Sequence, residues 1–126
     1  MSDGPIKVLL ADDDEPFLDS LSELIDQQPE LTVVAAARDG VEALELADRL
    51  EPDAAVIDLH MPQLDGMSTL SQLRRTHPTL CLIVLTGDSD AVLHDAAVAA
   101  GADAVLEKRE LTLGLLQRLA AARSPG

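Results

Sequence analysis

Short apolar runs alternate with longer stretches of helical spacing along almost the whole chain, and few folds can accommodate that alternation. The runs fall at residues 6–11, 31–37, 54–57, 80–85 and 104–106, each of strand length and rich in Val, Ile, Leu or Ala. Between them, Phe17, Leu21, Leu24 and Ile25 recur at helical spacing, as do Val41, Leu44 and the Leu46/Ala47 pair. Leu70 with Leu73, and Leu111 with Leu115 and Leu119, follow the same rule. Five strands alternating with five helices read as βαβ units, which require a mostly parallel sheet covered by helices on both faces. The unbroken run Leu82-Ile83-Val84-Leu85 suits a central strand of such a sheet.

Local punctuation agrees with this segmentation. Asp14 can cap a helix whose first turn holds Glu15 and Pro16, a position where proline is tolerated. Gly66 opens the third helical stretch, Asp88 or Ser89 can cap the fourth, and Gly101 stops it. Pro29, Pro52 and Pro78 stand in gaps where a helix must end before the next strand.

A chain of 126 residues holds one core, so a single domain is expected over residues 1–123, with 124–126 as a tail or the start of a linker. Cys81 is the only cysteine and no internal disulfide can form, which favours a reducing, cytoplasmic setting. No apolar run is long enough to span a bilayer, and residues 1–5 lack the basic segment of a secretion signal. Acidic residues outnumber Lys and Arg by 23 to 9, a net charge of −14 that repels nucleic acid and anionic membrane. DNA binding by this chain is therefore not expected. His77 and His94 are expected to face solvent, and Cys81 to be a small core residue.

In a doubly wound sheet, ligands bind beyond the carboxyl ends of the strands, where the strand order reverses. Asp12 and Asp13 follow the first run, Asp58 the third, Thr86 the fourth and Lys108 the fifth. The second run ends in Arg38-Asp39-Gly40, a turn into the next helix. Two like charges about 4 Å apart repel by roughly 4 kcal/mol at the effective dielectric near a protein surface. A cluster of Asp12, Asp13 and Asp58 thus calls for a compensating cation. Lys108 offsets part of the charge, and oxygen-only ligands favour Mg²⁺ for the rest. Around such an ion, Lys108 and Thr86 can stabilise the equatorial oxygens of a transferring phosphoryl group. A carboxylate can accept that group as an acyl phosphate, and Asp58 is placed to do so.

These residues carry a resemblance. Leu9-Leu10-Ala11-Asp12-Asp13-Asp14-Glu15-Pro16, Asp58-Leu59-His60-Met61-Pro62 with Asp65-Gly66, Leu85-Thr86-Gly87, and Ala100-Gly101-Ala102 with Lys108 resemble the receiver domains of two-component response regulators. The resemblance runs over nearly the whole chain, in order and at family spacing. It implies a flavodoxin-like sheet of strand order 2-1-3-4-5, which spacing alone does not give. It implies Asp58 as phosphoacceptor, served by a sensor histidine kinase or a small acyl phosphate. Mg²⁺ would be held by Asp13, Asp58 and the backbone carbonyl of His60, with Asp12 acting directly or through water. Thr86 and Lys108 would contact the phosphoryl group, and His60 and Asp88 would tune its hydrolysis. The domain would catalyse its own phosphorylation and slow dephosphorylation while serving mainly as a switch. Its partners would be an output domain or effector, or a second copy docked on the face of residues 89–100 and 104–123.

Two positions depart from the family pattern. The switch position three residues before the lysine, often Tyr or Phe, is Val105, and the residue after the lysine is Arg109 rather than proline. The second departure is common among regulators with a LuxR-type helix-turn-helix output. Two other readings remain open at this point. One is a receiver-like docking module that takes no phosphate. The other is a small haloacid-dehalogenase-type phosphatase, in which Asp12-x-Asp14 would supply the nucleophile and its partner acid.

Overall fold

Each apolar run pairs with its neighbours into one five-stranded sheet, parallel throughout, of order β2-β1-β3-β4-β5. The structure, a computed structural model, describes residues 4–59, 66–87, 91–108 and 119. Its elements are β1 (Ile6–Ala11), α1 (Glu15–Asp26), β2 (Leu31–Ala37), α2 (Gly40–Leu50), β3 (Ala54–Asp58), α3 (Gly66–Thr76), β4 (Cys81–Thr86), α4 (Ala91–Ala100) and β5 (Ala104–Glu107). The fifth helix expected near residues 111–119 lies outside the described residues, except that Leu119 is helical and fully buried.

Strand alternation divides the core into two layers. Ile6, Val8 and Leu10 of β1, Ala54 and Val56 of β3, and Ile83 and Leu85 of β4 face α1, through Leu18, Leu21 and Ile25, and also Leu119. The alternate residues Leu9, Ala11, Ala55, Ile57, Leu82 and Val84 face α2, α3 and α4, through Ala43, Ala47, Leu70, Leu73 and Ala97. Both faces are covered, which is why these strands read as continuous apolar runs. Cys81 is half-buried at the edge of the α1 layer.

Helix entry is controlled by short side-chain hydrogen bonds. Asp14 caps α1 by accepting the Phe17 N–H at 3.2 Å, with proline in the first turn as expected. The Arg38-Asp39-Gly40 turn is more than a turn. Asp39 caps α2 by accepting the Glu42 N–H at 2.9 Å, and Glu42 returns a carboxylate to the Arg38 N–H at 2.8 Å. The Arg38 guanidinium pairs with Glu15 in the first turn of α1. In β2, Val34 is an extra residue opposite the Val8/Leu9 step, and Asp26 Oδ1 accepts the adjacent Val33 N–H.

Four strand ends differ by one residue from the sequence expectation, β5 running on to Glu107 among them. Asp58 and Thr86 are the last residues of β3 and β4 rather than the first residues after them, because Asp58 is in register with Leu85 and Thr86 with Glu107. At the other end, β4 begins at Cys81, since the Leu80 N–H closes a turn onto the His77 carbonyl. His77 is also not turned to solvent. Its Nδ1 lies 2.8 Å from Thr76 Oγ1, and its Nε2 lies 3.2 Å from Asp48 Oδ1 on α2. His94 is likewise half-buried. The histidines follow the helix packing, which their spacing did not disclose.

Arg74, in the last turn of α3, ties three segments together. Its Nε and Nη2 donate to the Gly101 carbonyl at 3.0 and 2.8 Å, its Nη1 to the carbonyls of Pro78 and Leu80, and its Nη2 to Asp103 Oδ2. Asp103 Oδ2 also accepts the Leu82 N–H at the start of β4. Gly101 ends α4 with φ +122°, and a Cβ there would lie 2.7 Å from Arg74 Cβ and Cγ. Glycine is thus required both by its backbone angle and by the arginine stem lying across it. By contrast α4 fully buries only Ala97 and leaves Val92 and Val98 largely exposed.

Close backbone packing also fixes the segment after β3. The Gly66 N–H donates to the Leu59 carbonyl at 3.2 Å, and a Cβ on Gly66 would collide with the Asp58 carbonyl and the Leu59 backbone. Gly66→Ala is therefore expected to destabilise the chain by about 1–3 kcal/mol through overpacking. Arg74→Ala, which removes the hydrogen bonds to the Gly101, Pro78 and Leu80 carbonyls and to Asp103, is expected to cost about 1–3 kcal/mol. Urea midpoints at unchanged m-value check both, and a shift close to zero in either variant would contradict the corresponding contact.

Candidate functional site

The strand order reverses between β1 and β3, since β1 leads to β2 on one side and β3 lies on the other. Three acids at the ends of two strands, β1 and β3, sit beside that crevice. Ala11 is in register with Ile57, so Asp12 and Asp58 occupy the next level of neighbouring strands. The Asp12 N–H continues the ladder by donating to the Ala37 carbonyl at 3.0 Å. Both carboxylates are almost completely buried, at 2% and 3% residue exposure, whereas Asp13 faces solvent.

Carboxylate oxygens of Asp12, Asp13 and Asp58 all lie within 4.8 Å of one another. Buried charges in such proximity need compensation, and Lys108, just beyond β5, supplies it in part. Its Nζ lies 2.8 Å from Asp12 Oδ2 and 3.6 Å from Asp58 Oδ2. Asp12 Oδ1 accepts the Asp14 N–H at 3.0 Å, but Asp12 Oδ2 makes no aligned hydrogen bond among the described residues. The short ammonium contact is its ionic partner.

Burial is the largest single influence on Lys108 and by itself lowers the pKa. The Asp12 contact and the charges of Asp58 and Asp12 together outweigh it, so the pKa is raised above the ordinary lysine value. Lys108 is therefore an ammonium throughout the neutral range. The stability it contributes is present below the unfolded lysine pKa and is lost as pH rises through the raised folded value.

Thr86 ends β4 fully buried, and its β5 neighbour Glu107 directly precedes Lys108. Val105 is half-buried, in register with Val84, and packs against the α2–α3–α4 layer. His60 and Asp88 lie outside the described residues. The structure thus brings together Asp12, Asp13, Asp58 and Lys108. It places Thr86 at the end of the neighbouring strand, and Val105 one turn of the pleat deeper.

The donor set suits a hard divalent cation. It consists of carboxylate oxygens alone, two of the acids are buried, and one buried oxygen lacks an aligned hydrogen bond. The same geometry counts against the phosphatase reading of Asp12-x-Asp14. Asp14 is exposed, and its carboxylate caps α1 rather than entering the cluster.

Sequence reasoning missed one member of this neighbourhood. The ring of Phe17, read above as helix-face packing, has its centroid 4.5 Å from Lys108 Nζ. Its position four residues after Asp13, in the first turn of the helix leaving the cluster, was the available signal.

No helix among the described residues is long and apolar enough to cross a membrane. Residues 8–120 match the response regulator receiver domain family. The chain is 40% identical over 109 residues to protein-glutamate methylesterase/protein-glutamine glutaminase 4 of Myxococcus xanthus, covering 86% of this chain and 31% of that protein. It is 38% identical over 117 residues to the response regulator MprA of a Mycobacterium species, covering 93% and 50% respectively. The chain therefore spans about a third to a half of the length of these curated relatives. Among solved structures, it superposes on the response regulator domain of Thermotoga maritima CheB with a TM-score of 0.86 at 29% identity, covering 94% of this chain and 96% of that one. The signal receiver domain of an HD domain-containing protein from Pseudomonas fluorescens gives 0.82 at 33% identity, covering 95% and 98%. With its parallel 2-1-3-4-5 sheet and its match along residues 8–120, the chain belongs to the receiver domains of two-component response regulators.

Proposed function

We propose that Asp58 accepts a phosphoryl group from a histidine kinase, with Mg²⁺ held by Asp12, Asp13 and Asp58, and that the adduct switches the surface of the domain. The observation that carries this reading is the buried Asp12–Asp58 pair, joined by Asp13 and bridged by the Lys108 ammonium. Receiver domains interact with histidine kinases and output domains, and the match along residues 8–120 brings that class of partner to this chain.

A carboxylate oxygen of Asp58 attacks phosphorus, forming an O–P bond as the bond to the donor breaks. The leaving group departs as imidazole from phosphohistidine, or as acetate from acetyl phosphate. Bound Mg²⁺ would supply charge neutralisation for the incoming oxygens. Lys108 holds a second oxygen by its ammonium, and the Thr86 hydroxyl holds a third. By the family resemblance, the backbone carbonyl of His60, which lies outside the described residues, would complete the metal ligands. The side chains of His60 and Asp88 tune the lifetime of the acyl phosphate.

The adduct shifts the domain only by its differential affinity for two conformations. Thr86 is the moving element. Its partner position is the aliphatic Val105, already packed against the α2–α3–α4 layer, so no aromatic rotation accompanies the shift. The exposed apolar side chains of α4, Val92 and Val98, lie on the face offered to an output domain or a second copy. The cluster is complete at every acid and at the lysine, which favours phosphate acceptance over a phosphate-independent docking module.

Incubation with acetyl phosphate and Mg²⁺ is expected to add one phosphoryl group, located by mass spectrometry on Asp58. Asp58→Asn and chelation by EDTA should each abolish the adduct. Lys108→Ala should slow its formation on the order of 100-fold. An adduct that persists in Asp58→Asn, or its absence from the wild-type chain, would contradict this function.

A further inference from the structure

We propose that Phe17 is a positioning residue for phosphoryl transfer, its ring face holding the Lys108 ammonium over Asp12 and Asp58. The inference rests on the phosphoacceptor reading above and deepens it. Lysine carries its charge on a flexible four-carbon stem, and two ionic contacts alone leave the stem free to swing. The Lys108 side chain retains 27% of its exposure, so solvent reaches one side of it. The Phe17 ring stands against the ammonium, with its centroid 4.5 Å from Nζ, within the range of a cation–π contact.

An aromatic face attracts the cation without offering it a lone pair. It restrains the ammonium while leaving N–H groups for an incoming phosphoryl oxygen, which an additional carboxylate would not do. A single residue, Asp12, organises both ends of this arrangement. Its Oδ2 takes Lys108 at 2.8 Å, and its Oδ1 accepts the Asp14 N–H at 3.0 Å. Asp14 in turn accepts the Phe17 N–H at 3.2 Å and so sets where the ring enters. The circuit from Asp12 through Asp14 and Phe17 to Lys108 closes on Asp12. Phe17 is also the only Phe in the chain, which contains no Tyr or Trp. Half-buried contact with the α1 layer could be made by leucine, as Leu24 makes it from the same helix. The ring is needed for its charge distribution.

The test uses the intact chain as wild type, Phe17→Leu and Phe17→Tyr, labelled by acetyl phosphate with Mg²⁺ over a range of donor concentrations. Phe17→Leu is expected to lower the maximal labelling rate roughly 3–30-fold, at a urea midpoint close to that of wild type. Phe17→Tyr, which keeps the ring, should restore most of the rate. Proton NMR supplies a second readout that does not depend on labelling or on any variant folding. The methylene protons next to the Lys108 ammonium should be displaced upfield by the ring in the wild-type chain. Wild-type labelling with an equal rate in Phe17→Leu, an equal loss in Phe17→Leu and Phe17→Tyr, or Lys108 methylenes at unshifted positions would each overturn the role of the ring alone. A wild-type chain that takes no label overturns the phosphoacceptor reading, and this proposal with it.

Discussion

Two buried carboxylates at the ends of adjacent strands need a nearby cation to offset their charges, and the site is organised around that requirement. Removing a carboxylate from water is costly, and a second charge alongside adds repulsion. Asp12 and Asp58 nevertheless share the crevice because the Lys108 ammonium lies between them, 2.8 Å from one and 3.6 Å from the other. The lysine arrives there because β5 pairs in register with β4, which in turn pairs with β3. Sheet register is therefore the means by which charges distant in sequence are balanced.

The rest of the fold keeps that register from slipping. Each central strand is buried on both faces, so a one-residue shift would move core side chains to the wrong layer. Gly66 lets α3 start directly against the backbone of Asp58 and Leu59. At the opposite end of the sheet, Arg74 binds the end of α3 to the start of β4 and to the turn after α4. The α4 helix between these fixtures is lightly anchored, with Ala97 its one fully buried residue. A charge pocket fixed by sheet register beside a helix that buries only Ala97 suits a switch, since a local change in charge can move an element with few buried contacts to lose.

Much of this was legible in sequence, for physical reasons. Periodicity located the five strands and the first three helices because both-face burial forces continuous apolar strands, and amphipathic helices keep one stripe inward; α4, which lacks such a stripe, was placed by its capping residues and Gly101. Asp12, Asp13, Asp58 and Lys108 were legible because the crevice of a doubly wound sheet selects residues at strand ends. Strand order was not legible from spacing and came from the resemblance. The contacts that escaped were those made by side chains with two uses. Phe17 satisfies helical spacing as a core residue, so its contact with a lysine ninety-one positions later left no trace in the pattern. Arg74 drew no notice in the sequence pattern, although its five hydrogen bonds hold three segments. His77 was misplaced because solvent exposure depends on α2, which the local sequence of α3 does not describe.

The central claim is that the acids at the ends of β1 and β3 form one cation pocket. Crystals of the chain grown with Mn²⁺ in place of Mg²⁺ would test it most directly, because the ion can be located by its anomalous scattering. The account predicts a single strong peak within coordination distance of carboxylate oxygens from both Asp13 and Asp58. A map with no peak there, or with the Asp12, Asp13 and Asp58 side chains turned apart, would contradict it.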